Sequence, residues 1–200
     1  MKTAGIWGVA LIAAFLLLGL WVRDTTPWID TEVADAVGTT YFNDQTVNVL
    51  TDVLGPVFAI VAAVALAVAV VVMWIKDRNW EAGVLVRCLV VLLACRTLSF
   101  FKEVFTRLRP REYPEYAFPS GHTTSVACVA FTAVLISAWF SRRALPWVIA
   151  LAAAITVVAA ACRVMLGVHW LTDVVGAVVG VTGVGLVVAV VLRLLPARRA

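Results

Sequence analysis

The sequence has 200 residues, of which 63% are apolar and only 14% are charged. Its mean hydropathy is +1.00, a value that water-soluble globular domains do not reach, so a soluble fold is excluded. Disordered, collagen-like and coiled-coil proteins are excluded too, which leaves a polytopic membrane protein. The net charge of +4 is not concentrated in a basic arm of the kind that binds nucleic acid, so we expect no nucleic-acid partner.

Six apolar segments are long enough to cross a hydrocarbon core about 30 Å thick, which requires about 20 residues of α-helix. We place them at residues 5–22, 56–75, 84–101, 122–140, 146–162 and 174–195. The first segment follows Lys2 as a secretory signal would, but it is longer than a signal core and no cleavage site adjoins it, so we expect it to be retained. The sequence therefore predicts an all-α bundle of six transmembrane helices that forms a single domain over residues 1–200.

Basic residues outside the spans indicate the orientation of the bundle. Six spans put both termini on one side, and the lysines and arginines there are Lys2, Lys76, Arg78, Arg142, Arg143, Arg193, Arg198 and Arg199. The opposite side carries fewer basic residues. Because basic residues are enriched on the cytoplasmic side, we predict cytoplasmic termini. The small size of the chain and the lack of organelle signals favour a bacterial inner membrane.

A polar loop, residues 23–55, joins the first two spans. Its apolar residues at helical spacing are Ile29, Val33, Val37, Val47, Leu50 and Leu54. This pattern predicts that part of the loop forms an amphipathic helix on the outer membrane surface. We expect the loop to be a packing lid without a catalytic role.

Polar residues of the types that act in catalysis or ligand binding cluster at three points of the chain. They are residues 102–110 after the third span, residues 119–122 at the start of the fourth, and Arg163, His169 and Asp173 between the fifth and sixth. In a six-span bundle all three points emerge on the side opposite to the termini. We therefore predict one site on the extracytoplasmic face.

The two histidines of the chain, His122 and His169, both lie in these clusters. Asp173 is four residues after His169, so on a helix its carboxylate is placed to accept a hydrogen bond from one ring nitrogen. The other nitrogen is then an oriented nucleophile or base. Because both histidines of the chain lie in these polar clusters, a functional role is favoured over a structural one for each of them.

Positive charges accompany these histidines. Lys102, Arg109 and Arg163 suit a phosphate, which has two charges and several acceptor oxygens. Ser120 and Gly121 precede the fourth helix, whose free backbone N–H groups and positive dipole end also favour an anion. The sequence thus predicts a phosphate-binding site.

Other notable residues are expected to be structural. We interpret Arg107 and Arg111 as anchors for lipid headgroups. The four cysteines, which form no close-spaced metal or redox pair, are expected to be small buried hydrophobes. The glycines of the last span, Gly176, Gly180, Gly183 and Gly185, are expected to allow close packing of helices within the chain.

The three clusters resemble the signature of the type 2 phosphatidic acid phosphatase family, whose superfamily includes bacterial acid phosphatases and vanadium haloperoxidases. The matching elements are Lys102, six residues, Arg109-Pro110; Pro119-Ser120-Gly121-His122; and Arg163, five residues, His169, three residues, Asp173. The signature covers residues 102–173, and six spans agree with the membrane branch of the family. One departure is Cys162, which precedes Arg163 where the family usually has serine, and whose thiol forms weaker hydrogen bonds.

The resemblance implies a phosphatase that forms a phosphohistidine and needs neither a metal nor another cofactor. In this scheme His169 is the nucleophile, Asp173 orients it, and His122 is the general acid and base. The implied phosphate-binding residues are Lys102, Arg109, Ser120, Gly121 and Arg163.

Because the site lies where a lipid headgroup meets water, we expect a membrane lipid phosphate as substrate. The candidates are phosphatidic acid, phosphatidylglycerol phosphate and undecaprenyl diphosphate. A lipid phosphotransferase with the same site and a non-enzymatic anion or lipid transporter are the alternatives, although no internal repeat of the transporter kind is evident. The choice of lipid and the oligomeric state stay open at this point.

Overall fold

The computed structural model describes residues 2–37, 47, 49, 51, 53–112 and 114–195. Over these residues the fold is helical and contains no strand. The helices are α1 (Lys2–Arg23), α2 (Trp28–Val37), α3 (Pro56–Ile75), α4 (Asn79–Arg96), a 3-10 helix (Thr97–Phe101), α5 (Lys102–Phe105), α6 (Gly121–Phe140), α7 (Leu145–Met165) and α8 (Leu171–Val191).

Among the described residues, six helices are long and apolar enough to cross a membrane, which confirms the predicted transmembrane bundle. They are α1, α3, α4 with its extension to Phe105, α6, α7 and α8. The third span shows the largest difference from the predicted bounds, since it runs from Asn79 to Phe105 instead of 84–101. The 3-10 helix and α5 continue it without a break, so Lys102 lies on the helical end of the span and not in a loop.

Helix α6 is the central and most buried span, with α3, α4, α7 and α8 packed around it. It carries several hydroxyl side chains, which would be costly in hydrocarbon without hydrogen-bond partners. Thr124, Ser125 and Thr132 each donate to the carbonyl oxygen four residues earlier, at 2.8, 2.9 and 2.8 Å. These small, internally bonded side chains let the neighbouring helices approach α6 closely.

Glycines of α8 allow close packing inside the chain, as predicted. A Cβ at Gly183 would lie 2.9 Å from the backbone nitrogen of Ile12, so the backbones of α1 and α8 are in contact there. A Cβ at Gly176 would collide with the ring of Phe118. Larger residues at these positions would separate the helices or displace the ring.

An aromatic cluster supports the segment that leads into α6. The Phe118 ring is stacked on Phe15 with ring centroids 5.4 Å apart, and it meets Phe105 edge to face at 5.2 Å. All three rings are buried. Because Phe105 ends α5 and Phe118 lies two residues before Ser120, the cluster fixes both ends of the connection between these helices.

Helix α2 confirms the first half of the amphipathic helix predicted for residues 23–55. In the second half, residues 47, 49, 51 and 53 are helical, whereas Leu50 lies outside the described residues. The four cysteines are buried and free, as expected.

Candidate active site

The three polar clusters meet at one end of the bundle, where α5 and α7 end and α6 and α8 begin. The backbone N–H of Ser120 donates to the carbonyl oxygen of Asp173 at 3.2 Å, which joins the starts of α6 and α8. A Cβ at Gly121 would lie 3.7 Å from Nζ of Lys102, so the ammonium group is next to the first residue of α6. Arg163 is buried near the end of α7. The structure therefore brings together residues that are up to 71 positions apart in the sequence, from Lys102 to Asp173.

His169 and Asp173 have the side-by-side arrangement expected from their four-residue spacing. Nδ1 of His169 lies 3.4 Å from Oδ2 of Asp173. The same oxygen accepts a hydrogen bond of 2.8 Å from the backbone N–H of Trp170, so Asp173 also caps the start of α8. Both side chains are buried. The carboxylate is held by the helix end and is thereby fixed beside the imidazole.

Burial lowers the pKa of His169 well below its usual value, because it disfavours the charged imidazolium. The positive charges of Arg109, Arg163 and Lys102 act in the same direction, and a hydrogen bond with the Ala117 backbone opposes them. His169 is therefore neutral near neutral pH. A neutral imidazole has the free electron pair that a nucleophile requires.

Arg109 is fixed by the backbone on two sides. Its Nε donates to the carbonyl oxygen of Glu115 at 2.7 Å, and its Nη1 donates to that of Val168, directly before His169, at 3.1 Å. Its side chain is only 3% exposed. The guanidinium is consequently held next to His169 without needing a substrate to order it.

The start of α6 is also pre-ordered. Ser120 is the N-cap residue, and its hydroxyl oxygen accepts a hydrogen bond from Oγ1 of Thr123 at 3.1 Å. His122 follows in the first turn, and a Cβ at Gly55 would lie 2.9 Å from its Nε2. Gly55, directly before α3, therefore packs against the ring of His122. This neighbour is not recognisable from the sequence motifs.

Glu115 places a carboxylate among the cations of the site. Its Oε2 lies 2.6 Å from Nζ of Lys102 and 3.6 Å from Nη2 of Arg109. The hydrogen bond from Lys102 lowers the pKa of Glu115, and the charges of Arg109 and His122 lower it further. With 63% of its side chain exposed, Glu115 is able to move away. An anionic ligand has to compete with it for Lys102.

We expect Glu115→Gln to lower KM for a phosphate ester about two- to fivefold, because an exposed ion pair contributes up to about 1 kcal/mol. The control is Glu112→Gln, which neutralises another exposed carboxylate of the same segment. Steady-state kinetics of both variants at neutral pH, where the low pKa keeps Glu115 ionised, would measure the effect. A higher KM for Glu115→Gln would mean that the carboxylate assists binding.

Arg107 is not a headgroup anchor, so that prediction is wrong. The residue is 2% exposed and lies between two buried carboxylates. Its Nη2 donates to Oδ2 of Asp30 at 2.7 Å, and its Nη1 donates to Oδ1 of Asp173 at 2.5 Å. A planar guanidinium can satisfy both carboxylates at once, which explains why the arginine is inside the protein.

Asp30 connects α2 to the start of α8. Its two carboxylate oxygens accept hydrogen bonds from the backbone N–H and the hydroxyl of Thr172, at 2.9 and 2.7 Å. The sequence contains a signal for this role: Asp30 precedes Val33 and Val37 by three and seven residues, which puts an acid on the apolar face of α2. Such an acid needs a buried partner, and Arg107 is that partner.

A helical membrane protein in which a buried histidine and carboxylate lie among cations has the features of a phosphate-transferring enzyme. The PAP2 superfamily profile matches residues 6–196, and the chain belongs to this superfamily. The family resemblance of the three clusters is thereby confirmed, and the protein is a phosphatase embedded in a membrane by several helices.

Among solved structures, the chain is similar to the crystal structure of the first transmembrane PAP2 type phosphatidylglycerolphosphate phosphatase from Bacillus subtilis. The two sequences are 25% identical, the TM-score is 0.65, and the match covers 93% of this chain and 94% of the other. Sequence comparison with curated proteins gives no significant match. The similarity in structure supports the helical membrane fold over nearly the whole chain.

Proposed function

We propose that the protein hydrolyses a phosphomonoester or diphosphate of a membrane lipid through a phosphohistidine, without a metal ion. The observation that carries this proposal is the buried His169, whose ring lies beside Asp173 and near Lys102, Arg109 and Arg163. Among the described residues, no three His, Cys, Asp or Glu side chains are grouped as a metal site. The cations of the protein would neutralise the phosphate instead.

In the first step, Nε2 of His169 attacks phosphorus in line while the bond between phosphorus and the leaving oxygen breaks. His122 donates a proton to that oxygen. Asp173 keeps the proton of His169 on Nδ1 and stabilises the imidazolium as it forms.

In the second step, water attacks the phosphorus of the phosphohistidine. His122, now neutral, takes a proton from this water, and the bond between phosphorus and Nε2 breaks. Inorganic phosphate leaves, and both histidines return to their starting states. One His122 side chain serves as acid and then as base, so no second proton carrier is needed.

The remaining site residues would bind the three equatorial oxygens of phosphorus. Lys102, Arg109 and Arg163 supply the charge, and at the start of α6 the hydroxyl of Ser120 and the backbone N–H of Gly121 supply further donors. These groups are preorganised by the hydrogen bonds of Arg109 and of the α6 N-cap. Such donors lower the barrier because they need not reorient as charge redistributes on the phosphate.

Three lipids are the substrates to compare: phosphatidic acid, phosphatidylglycerol phosphate and undecaprenyl diphosphate. The similar solved structure is named as a phosphatidylglycerolphosphate phosphatase, which makes that lipid the first to test. The excess of basic residues on the side of the termini supports a site on the extracytoplasmic face, which in a bacterial inner membrane is the periplasmic face.

The proposal is tested by phosphate release from these lipids in detergent with EDTA. We expect release by the wild type and a loss of about 10²–10³ in kcat for Lys102→Met, which removes one charged donor to the phosphate. The control, Lys76→Met, alters a lysine that follows α3 at the opposite end of the bundle and should leave kcat unchanged.

Other outcomes would favour the alternative functions. Transfer of labelled phosphate into a lipid product in place of release would indicate a phosphotransferase. Binding of lipid phosphate by a folded wild type without release or transfer would indicate a transporter.

A further inference from the structure

An apolar groove with a volume of about 800 Å³ opens between α6, α7 and α8. Representative lining residues are Ala130 and Val134 of α6, Ala153 and Ala160 of α7, and Val175 and Val178 of α8. Helix α7 packs along α6 but contacts α8 at few positions, so the groove is the space left between α7 and α8. All three helices are membrane spans, which places the groove at the depth of the lipid chains.

The groove offers no polar group to a ligand along its described walls except two threonines, and both are already bonded. The hydroxyl of Thr156 donates to the carbonyl oxygen of Ala152 at 2.7 Å, and that of Thr182 donates to the carbonyl oxygen of Val178 at 2.8 Å. Both hydroxyl groups are therefore satisfied within their own helices. A hydrocarbon chain fits such a surface, whereas water or a headgroup would lose hydrogen bonds there.

One end of the groove is lined by residues that are close in sequence to the active-site residues. Three of its lining residues, Val164, Leu171 and Val174, lie within two positions of Arg163, His169 and Asp173, respectively. Val33 and Val37 of α2 cover this end, and the hydrogen bonds of Asp30 to Thr172 hold α2 in place. A lipid whose phosphate is bound at His169 thus has a path for its chain along α7 and α8.

We propose that this groove binds an acyl chain of the phospholipid substrate and sets the chain lengths that the enzyme accepts. The inference rests on the proposed lipid phosphatase activity. Lipid tails in the bilayer are as apolar as the groove, so the groove gains little affinity from burying a chain. Its effect is to align the lipid, and an obstruction in the groove should therefore act by steric exclusion.

Distances along helix α7 allow the proposed effect on chain length to be tested. Ala160 and Ala153 precede Arg163 by three and ten residues, which corresponds to about 4.5 Å and about 15 Å along the helix. An extended acyl chain advances about 1.3 Å per carbon–carbon bond. An octanoyl chain that starts near Arg163 therefore ends before Ala153, whereas a palmitoyl chain passes it.

The experiment compares dioctanoyl and dipalmitoyl phosphatidic acid in mixed detergent micelles. We expect Ala153→Phe to lower kcat/KM about tenfold for the dipalmitoyl lipid only, because a phenyl group overfills the groove at that depth. Ala160→Phe, closer to the site, should lower kcat/KM for both lipids. The matched control is Ala154→Phe, an exposed position on the same helix that does not line the groove, and it should change neither value.

The outcomes separate the groove from the activity itself. Turnover of both lipids by the wild type, with Ala153→Phe indistinguishable from Ala154→Phe, would mean that the substrate chain does not occupy the groove and would overturn the proposal. No phosphate release by the folded wild type from phosphatidic acid, phosphatidylglycerol phosphate or undecaprenyl diphosphate would overturn the phosphatase function as well. If thermal unfolding shows that Ala153→Phe does not fold, Ala153→Leu takes its place in the same comparison.

Discussion

His169→Ala is expected to lower phosphate release by at least about 10⁴-fold, because the loss of a covalent nucleophile removes the reaction path and not just one contact. The described site contains one other imidazole, His122, whose proposed task is proton transfer. Burial and the cations around His169 also lower its pKa, so the wild type should keep a neutral nucleophile at pH values below the usual histidine range. The acidic limb of kcat/KM that reports this group should therefore lie below about pH 6.5.

The measurement combines kinetics with trapping of the intermediate. Rapid quenching with labelled lipid should yield an acid-labile phosphoprotein in the wild type and none in His169→Ala. His122→Ala is the matched variant, because it keeps the nucleophile but lacks the base that hydrolyses the intermediate. With a substrate whose leaving group needs little protonation, labelled protein should therefore accumulate in this variant. Residual activity of His169→Ala above a tenth of wild type, in a protein with unchanged thermal unfolding, would contradict the assignment.

Local sequence patterns predicted most of the fold and many of the residues that meet at the site. Six hydrophobic runs of about 20 residues define six spans, because hydrocarbon thickness dictates their length. His169 and Asp173 are close in sequence, and the carboxylate of Asp173 in the first turn of α8 reaches back past the N-cap residue Trp170 to His169. These relations depend on a few consecutive residues, so no knowledge of helix packing was necessary to find them.

The remaining features depend on contacts between distant segments. Arg107 and Asp30 are 77 residues apart, and only the docking of α2 against α8 brings them together. The contact of Glu115 with Lys102 depends on the path of the connection between α5 and α6. The groove exists because α7 contacts α8 at few positions, and hydropathy describes the length of a helix but not which neighbours it packs against.

Arg107→Met is expected to have a large effect on the free energy of unfolding. The substitution preserves much of the side-chain volume but leaves the carboxylates of Asp30 and Asp173 buried without their shared partner. Breaking a buried ion pair in this way costs about 3–5 kcal/mol. Arg107→Lys should recover only part of the loss, because an ammonium group lacks the planar fork that reaches both carboxylates.

The double variant Asp30→Asn/Arg107→Met separates the two partners of Arg107. Asparagine removes one unpaired charge, so the double variant should be more stable than Arg107→Met alone if the Asp30 contact carries much of the cost.

Enzyme activity reports on the contact between Arg107 and Asp173. Because Arg107 positions Asp173 without touching the substrate, Arg107→Met should lower kcat more than it raises KM. Arg143→Met, an exposed position between α6 and α7, should change the free energy of unfolding by less than about 0.5 kcal/mol. If denaturation in detergent shows equal stability for Arg107→Met and Arg143→Met, the buried network does not hold α2 to the site, and Asp173 must be positioned by the α8 N-terminus alone.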